Sequence, residues 1–123
     1  MDGVALTERV IGCAIEVHRH LGPGLLETVY EDCLCHELAQ TGMGYQRQVH
    51  LPVVYKGVQL ETAYRLDILV EDRLVIEIKA IDRILTIHEA QLLTYLRMSG
   101  RRTGLILNFN HAVLKDGIRR MVL

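Results

Sequence analysis

The chain has no tryptophan, one phenylalanine and only two prolines among its 123 residues. An interior so short of large aromatics has to be filled with aliphatic side chains, so an aliphatic core is expected. Cys13, Cys33 and Cys35 are odd in number and lack paired C-x-x-C spacing. That argues against a disulfide framework or a four-cysteine metal site, and leaves the thiols as small reduced hydrophobes. No uninterrupted apolar run is long enough to span a bilayer, so no membrane segment is expected. The start, "MDGVALTERV", lacks the basic-then-apolar layout of a signal peptide, which makes the cytoplasm the expected compartment. Neither sign of charge dominates, with 14 Lys and Arg against 15 Asp and Glu. This balance argues against a strong, indiscriminate polyanion binder, whose affinity comes from neutralising many phosphates, but leaves room for a local basic patch.

What is present reads as one domain over residues 1–123. Leu6, Val10, Cys13, Ala14, Val17 and Leu21 recur at helical spacing, predicting a first helix over about residues 5 to 20 that ends at "LGPG". A second helix is expected from about Leu26 to Thr41, with Gly42 as its C-terminal cap. On a wheel of about 100° per residue, Leu26, Val29, Tyr30, Cys33, Leu34 and Leu38 fill one arc. Glu27 falls inside that apolar arc, whereas Glu31 and Asp32 fall outside it, where solvated carboxylates belong. From about residue 45 the period changes to two. "QRQVHLPVVY" and "VQLETAYRLDILV" read as strands around a Lys56-Gly57 turn, followed by "EDR" and the strand "LVIEIKA". A third helix opens at Thr86 with a Thr86–Glu89 capping box and closes at Gly100. "TGLILNF" then reads as a buried strand and "KDGIRRMVL" as a turn with a short edge strand. The expected class is α/β, in the order α-α-β-β-β-α-β with a C-terminal edge strand: a mixed central sheet flanked by helices. The step from "LVIEIKA" through the third helix to "TGLILNF" is long enough for a parallel crossover. The last strand, "IRRMVL", could pair across a homodimer.

Two strands apolar enough to be central carry charge. Arg65 and Asp67 share one face of "YRLDILV", and Glu77 and Lys79 share one face of "RLVIEIKA". Ionised groups left in a core without partners cost several kcal/mol, so they call for a counter-ion, an ion-pair network or a solvent-filled cleft. Register decides whether the two acids meet. A two-residue turn at Glu71-Asp72 would place them on opposite faces, and a three-residue connection, Glu71 to Arg73, would set Asp67 across from Glu77. Favoured two-residue turns want positive φ and usually Gly or Asn, so the odd-length connection is expected. The competing reading makes Asp67, Glu77, Lys79 and Arg65 ordinary cross-strand ion pairs on a wet face. It leaves Glu27 and Gln91 unexplained.

An acid followed after about ten residues by Glu-x-Lys on the next strand, here Asp67 and "EIK", resembles the PD-(D/E)XK nuclease superfamily. "QLLTY", Gln91 to Tyr95, is similar to the QxxxY helix motif of its RecB-like branch. "GLLETVY", Gly24 to Tyr30, resembles the defining motif of the small GxxExxY proteins, and "YRLDILVED", "IHEAQLLTYL" and "LILNFN…LKDGI" are similar to that family's other hallmark segments. The resemblance spans nearly the whole chain and implies a restriction-endonuclease-like core.

It further implies a nuclease that uses Mg²⁺, or Mn²⁺ in its place, to hydrolyse phosphodiester bonds of DNA or RNA. Asp67, Glu77 and the backbone carbonyl of Ile78 would hold the metal, with Glu27 approaching from the helix as a further ligand or through a water. Lys79 would position the nucleophile or neutralise charge, Gln91 would orient water or a phosphate oxygen, and Tyr95 would support its helix or contact the substrate backbone. Arg97, Arg101 and Arg102, with Lys115, Arg119 and Arg120, are the basic candidates for phosphate contacts. His18 and His88 read as structural or capping residues, and Asn108 and Asn110 as strand-end caps. The alternative is a catalytically silent module of the same fold that binds nucleic acid or a protein partner.

Overall fold

The computed structural model describes residues 2–123, apart from the side chains at positions 62 and 63. Asp2 accepts the Ala5 N–H at 2.8 Å and so caps helix α1, Gly3–Leu21. Helix α2, Glu27–Gln40, follows, then strands β1 (Tyr45–Tyr55), β2 (Val58–Val70) and β3 (Leu74–Lys79). Helix α3, Thr86–Ser99, leads to β4 (Thr103–Asn108), and a 3₁₀ turn at Leu114–Gly117 leads to the edge strand β5, Ile118–Val122. The expected order is therefore observed. The strands form one sheet in the order β1-β2-β3-β4-β5, antiparallel except where α3 carries the chain from β3 to a parallel β4. No helix among the described residues is long and apolar enough to cross a membrane.

The two hairpins show how local chemistry sets register. Lys56 (φ 49°) and Gly57 (φ 80°) form a two-residue turn with both central residues at positive φ, the hand that matches strand twist. Between β2 and β3, Val70 pairs with Leu74, so the connection has the expected three residues. Glu71 and Asp72 nevertheless adopt φ of 52° and 56°, which side-chain preference alone does not favour. The Glu71 N–H donates to the Gly44 carbonyl at 2.9 Å, and Asp72 pairs with Arg101, so tertiary partners hold the turn.

Alternation along the strands divides the core. Ile68, Val70, Ile76, Ile78, Leu105 and Leu107 pack under α1 and α2, while Leu69, Val75 and Ile106 pack against Leu92 and Leu96 of α3. The aliphatic expectation fails at one place. Tyr30 and Phe109, both fully buried, stack with ring centroids 4.4 Å apart and planes 10° apart. Tyr30 also donates its hydroxyl to the Gly22 carbonyl at 2.6 Å and accepts the Leu25 N–H at 3.1 Å, so it closes the loop that leads into its own helix.

Two smaller expectations change. Helix α3 is capped by His88, whose Nδ1 accepts the Leu85 N–H at 2.9 Å, and Thr86 is the first helical residue instead of the cap. His18 is structural, its buried ring bound at 2.7 Å to the His111 carbonyl oxygen. Cys13 and Cys35 are buried and Cys33 is half-buried, all three free. Burial pushes the Cys35 thiol up to about 11, which keeps it inert.

A methyl group added at Gly117 would collide with the Asn108 carbonyl oxygen, whereas one at Gly12 in α1 meets nothing within 4 Å. Gly117→Ala is therefore expected to cost about 2–3 kcal/mol through overpacking against backbone. Gly12→Ala should gain about 0.5–1 kcal/mol, as expected for a helix interior. Urea denaturation of the two variants beside the wild type checks both signs.

Candidate active site

The β2–β3 ladder stops at Ile68↔Ile76, one residue short of the acids. Continuing the same register sets Asp67 opposite Glu77, and side-chain bonds take the place of the missing ladder bonds. Asp67 Oδ2 accepts the Ile78 N–H at 2.8 Å, and Glu77 Oε1 lies 3.4 Å from the Asp67 N–H. The two carboxylates thus wedge into the gap and satisfy backbone donors that parting strands would orphan. The residues expected to meet do meet, and they do so as a wedge, not as cross-strand ion pairs. In an extended strand a residue's N–H and C=O point to the same edge, so the Ile78 carbonyl also faces this gap.

The strands part because β1 and β2 change face here. Arg47 pairs with Ile68 and Val49 with Leu66, which brackets Gln48 against Asp67. Gln48 takes φ 52°, rare for a residue without glycine's freedom. On one side of it, Ile68 and Val70 pack towards α1 and α2; on the other, Val49, Leu51 and Leu66 pack towards α3.

Glu31 holds this kink. It is buried, and its carboxylate accepts from Arg47 Nε at 3.1 Å, from an Arg47 terminal nitrogen at 2.7 Å and from Gln48 Nε2 at 3.1 Å. The wheel phase expected for α2 is therefore corrected: Tyr30, Glu31, Leu34, Cys35 and Leu38 form its buried face, and Leu26 is 72% exposed. Glu31, placed outside by the sequence reading, is the inward acid. Glu27 is exposed in the first turn of α2, where its Oε2 accepts the Ala80 N–H at 3.2 Å, next to Lys79. The i, i+4 spacing of Glu27 and Glu31 was the available signal for Glu31.

Electrostatics separate the members. Burial first, then the charge on Asp67, pushes Glu77 up to about 8; burial, then Glu31 and Glu27 among the neighbouring charges, raises Asp67. Lys79 is half-buried and forms no ion pair among the described residues, although its charge favours ionisation of both acids. Tyr95 is half-buried on α3; burial and then Glu77 raise its hydroxyl, and its ring lies 5.4 Å from that of Tyr64 at 49°. Gln91 is exposed one turn earlier on the same face of α3.

The arginines are dispersed. Arg97 is exposed about 200° around α3 from Tyr95. Arg101 and Arg102 precede Thr103, which is level with Leu74, so they sit at the opposite end of β3 from Lys79. There they line a cleft of about 340 Å³ with Gly3, Asp72 and Arg73, and Arg101 is held by Asp72. The structure does not bring them to the acids. Asn108 is also occupied, fully buried and bonded to both the N–H and carbonyl of Ile81.

Among the described residues, no three His, Cys, Asp or Glu side chains are drawn together closely enough to hold an ion unaided. Two adjacent carboxylates and a backbone carbonyl still suit a hard divalent ion that keeps several of its waters. A buried glutamate without a cationic partner has the need that such an ion meets.

A mixed sheet with helices on both faces, presenting two acids and a lysine where two central strands part, defines a restriction-endonuclease-like α/β fold. The family model described as the PD-(D/E)XK nuclease superfamily matches residues 4–121, and the chain belongs to that superfamily. No curated protein and no solved structure matches the chain. Nucleases of this superfamily generally depend on a divalent metal.

Metal-free protein should show the Glu77 shift directly. An unfolded Glu loses its proton near 4.5, while the folded one holds it to about 8. Across that window the folded state binds more protons, so stability falls as pH rises. Glu77→Gln in EDTA should match wild type near about pH 5 and exceed it by on the order of 3 kcal/mol near about pH 9. Thermal melts at the two pH values measure the difference; equal gains at both would contradict the shift.

Proposed function

We propose that the chain is a Mg²⁺-dependent nuclease, able to use Mn²⁺, that hydrolyses phosphodiester bonds of DNA or RNA at Asp67, Glu77 and Lys79. In this reading residues 1–123 act as one nuclease domain of the GxxExxY type, with Glu27 and Tyr30 supplying its signature. The supporting observation is Lys79. A silent module would be expected to neutralise its buried acids with the neighbouring lysine, yet Lys79 pairs with neither.

Asp67, Glu77 and the Ile78 carbonyl would hold the divalent ion, which supplies Lewis acidity towards a phosphate oxygen when bound. Hydrolysis joins a water oxygen to phosphorus, breaks the bond to the leaving oxygen and passes a proton to it. Lys79, on the Glu77 face of β3, donates to the phosphate oxygen on which charge builds. Gln91 orients the attacking water, and Glu27, fixed by the Ala80 N–H, limits how that water approaches. Tyr95 lines the side of the site towards Tyr64.

A panel of single- and double-stranded DNA and RNA, with Mg²⁺, with Mn²⁺ and with EDTA, tests this reading. Cleavage should require the metal, vanish in Asp67→Ala, and fall about 10²–10³-fold in Lys79→Ala with the fold intact by circular dichroism. Activity that survives both substitutions would place the chemistry elsewhere. Absence of cleavage on every substrate would leave a binding module.

A further inference from the structure

Beyond Asp67 the β1–β2 hairpin continues without β3, as a two-stranded arm ending at Lys56-Gly57. Residues paired directly across a hairpin share a face. Leu51 pairs with Tyr64, Val53 with Leu60 and Tyr55 with Val58, and Leu51 belongs to the cluster under α3. The register shifts between Pro52 and Val53, with the two extra residues on β2, so the period of β1 still carries Val53, Tyr55, Val58, Leu60 and Tyr64 on one apolar face outward from the site. Tyr55, Val58, Leu60 and Tyr64 are 60%, 59%, 41% and 45% exposed. A contiguous open strip of this kind, running out from the acids, marks a contact surface.

We propose that this arm binds an unpaired nucleic-acid strand, stacking bases on Tyr64 with Tyr95 and further out on Tyr55, while the strand's phosphate lies at Asp67 and Glu77. The inference rests on the nuclease reading and adds its substrate class. Three observations choose this occupant. The strip begins at the acids: Tyr64 stands three residues from Asp67 on β2, and its ring touches Tyr95, whose hydroxyl senses Glu77 and Asp67. The strip also carries a cation at its outer end: the Lys56 ammonium lies 5.4 Å over the Tyr55 ring, placing a charge beside a stacking face.

The third observation is the dispersal of the basic candidates. Duplex binding draws on many phosphate contacts, but Arg101 and Arg102 sit at the far end of β3 from Lys79, Arg97 turns away from Tyr95, and Arg47 is engaged by Glu31. Base stacking is available only to exposed bases and asks for few cations. From the level of Tyr64 to Tyr55 the arm runs four residues, about 14 Å. That is the length of about four stacked nucleotides.

Fluorescence anisotropy of labelled oligo(dT), oligo(rU) and a duplex of equal length, in EDTA to stop turnover, tests the arm. Both single strands should bind at least about tenfold tighter than the duplex, and a preference between them would assign DNA or RNA. Tyr64→Ala and Tyr55→Ala should each weaken single-strand binding about tenfold, and Tyr64→Phe should restore it. Equal or tighter duplex binding, or wild-type affinity in both alanine variants, would overturn the proposal. So would a stable dimer in sedimentation that Tyr55→Ala dissociates, because a second copy would then own the strip. Failure of the two readings can be told apart. If Asp67-dependent cleavage occurs without tyrosine-dependent binding, only the arm is wrong; tyrosine-dependent binding without cleavage leaves the arm standing and removes the nuclease.

Discussion

The Glu31 carboxylate, buried against Arg47 and Gln48, is the contact on which the site's geometry depends. A buried ion pair contributes little net stability against an apolar replacement, because desolvation offsets most of the attraction. Its value here is conformational. Two side chains flanking one peptide are held by the same carboxylate, and the backbone between them is forced into the left-handed region at Gln48. That kink turns the outer half of the hairpin over, so that Leu66 faces α3 while Ile68 faces α1 and α2. A regular β2 would have carried its ladder with β3 past Asp67 and closed the gap that the two acids fill. Helix α2 thus shapes the site through a residue that takes no part in the proposed chemistry.

The acids around this gap are treated unequally. Glu31 has its cation and Glu27 has a backbone donor. Asp67 has one N–H, and Glu77, the most enclosed of the pair, has only a long contact to backbone. Burial and the adjacent carboxylate hold Glu77 protonated through neutral pH when no cation is present. A fold selected for stability alone would place a leucine there. Keeping a carboxylate where it is destabilising is the pattern of a site whose function sets its residues.

Most of the fold was legible because its strands keep a two-residue period on either side of the Gln48 kink and their turns admit few solutions. Once β2 and β3 were joined by three residues, Asp67 had to face Glu77, and Lys79 had to share the Glu77 face. The helices were less legible. Apolar and polar residues are spread almost evenly around α2, so the wheel could be rotated by one position without penalty, which exchanged Glu31 with its neighbours. The arginines misled for another reason. Arg101 and Arg102 lie ten and eleven residues after Gln91, but the chain has run back across the sheet by then, and only the β3–β4 register reveals which end they reach. Tyr64 opens the segment "YRLDILVED" but drew no role from it, and its place beside the site rests on a ring contact with a residue 31 positions away.

The same electrostatics explain how a chain with no excess of positive charge can address a polyanion. With Glu77 protonated, Glu27, Glu31 and Asp67 still outnumber Lys79 and the already committed Arg47, so a phosphate approaching without a cation meets net like charge. On the proposed nuclease reading, a divalent cation at Asp67 and Glu77 would offset that charge, so metal and substrate would assist each other's binding. This cooperation still leaves little net attraction for the rest of the strand. On that reading the remaining affinity would come from contacts insensitive to charge, and the proposed tyrosine strip on the arm beside the acids would provide them.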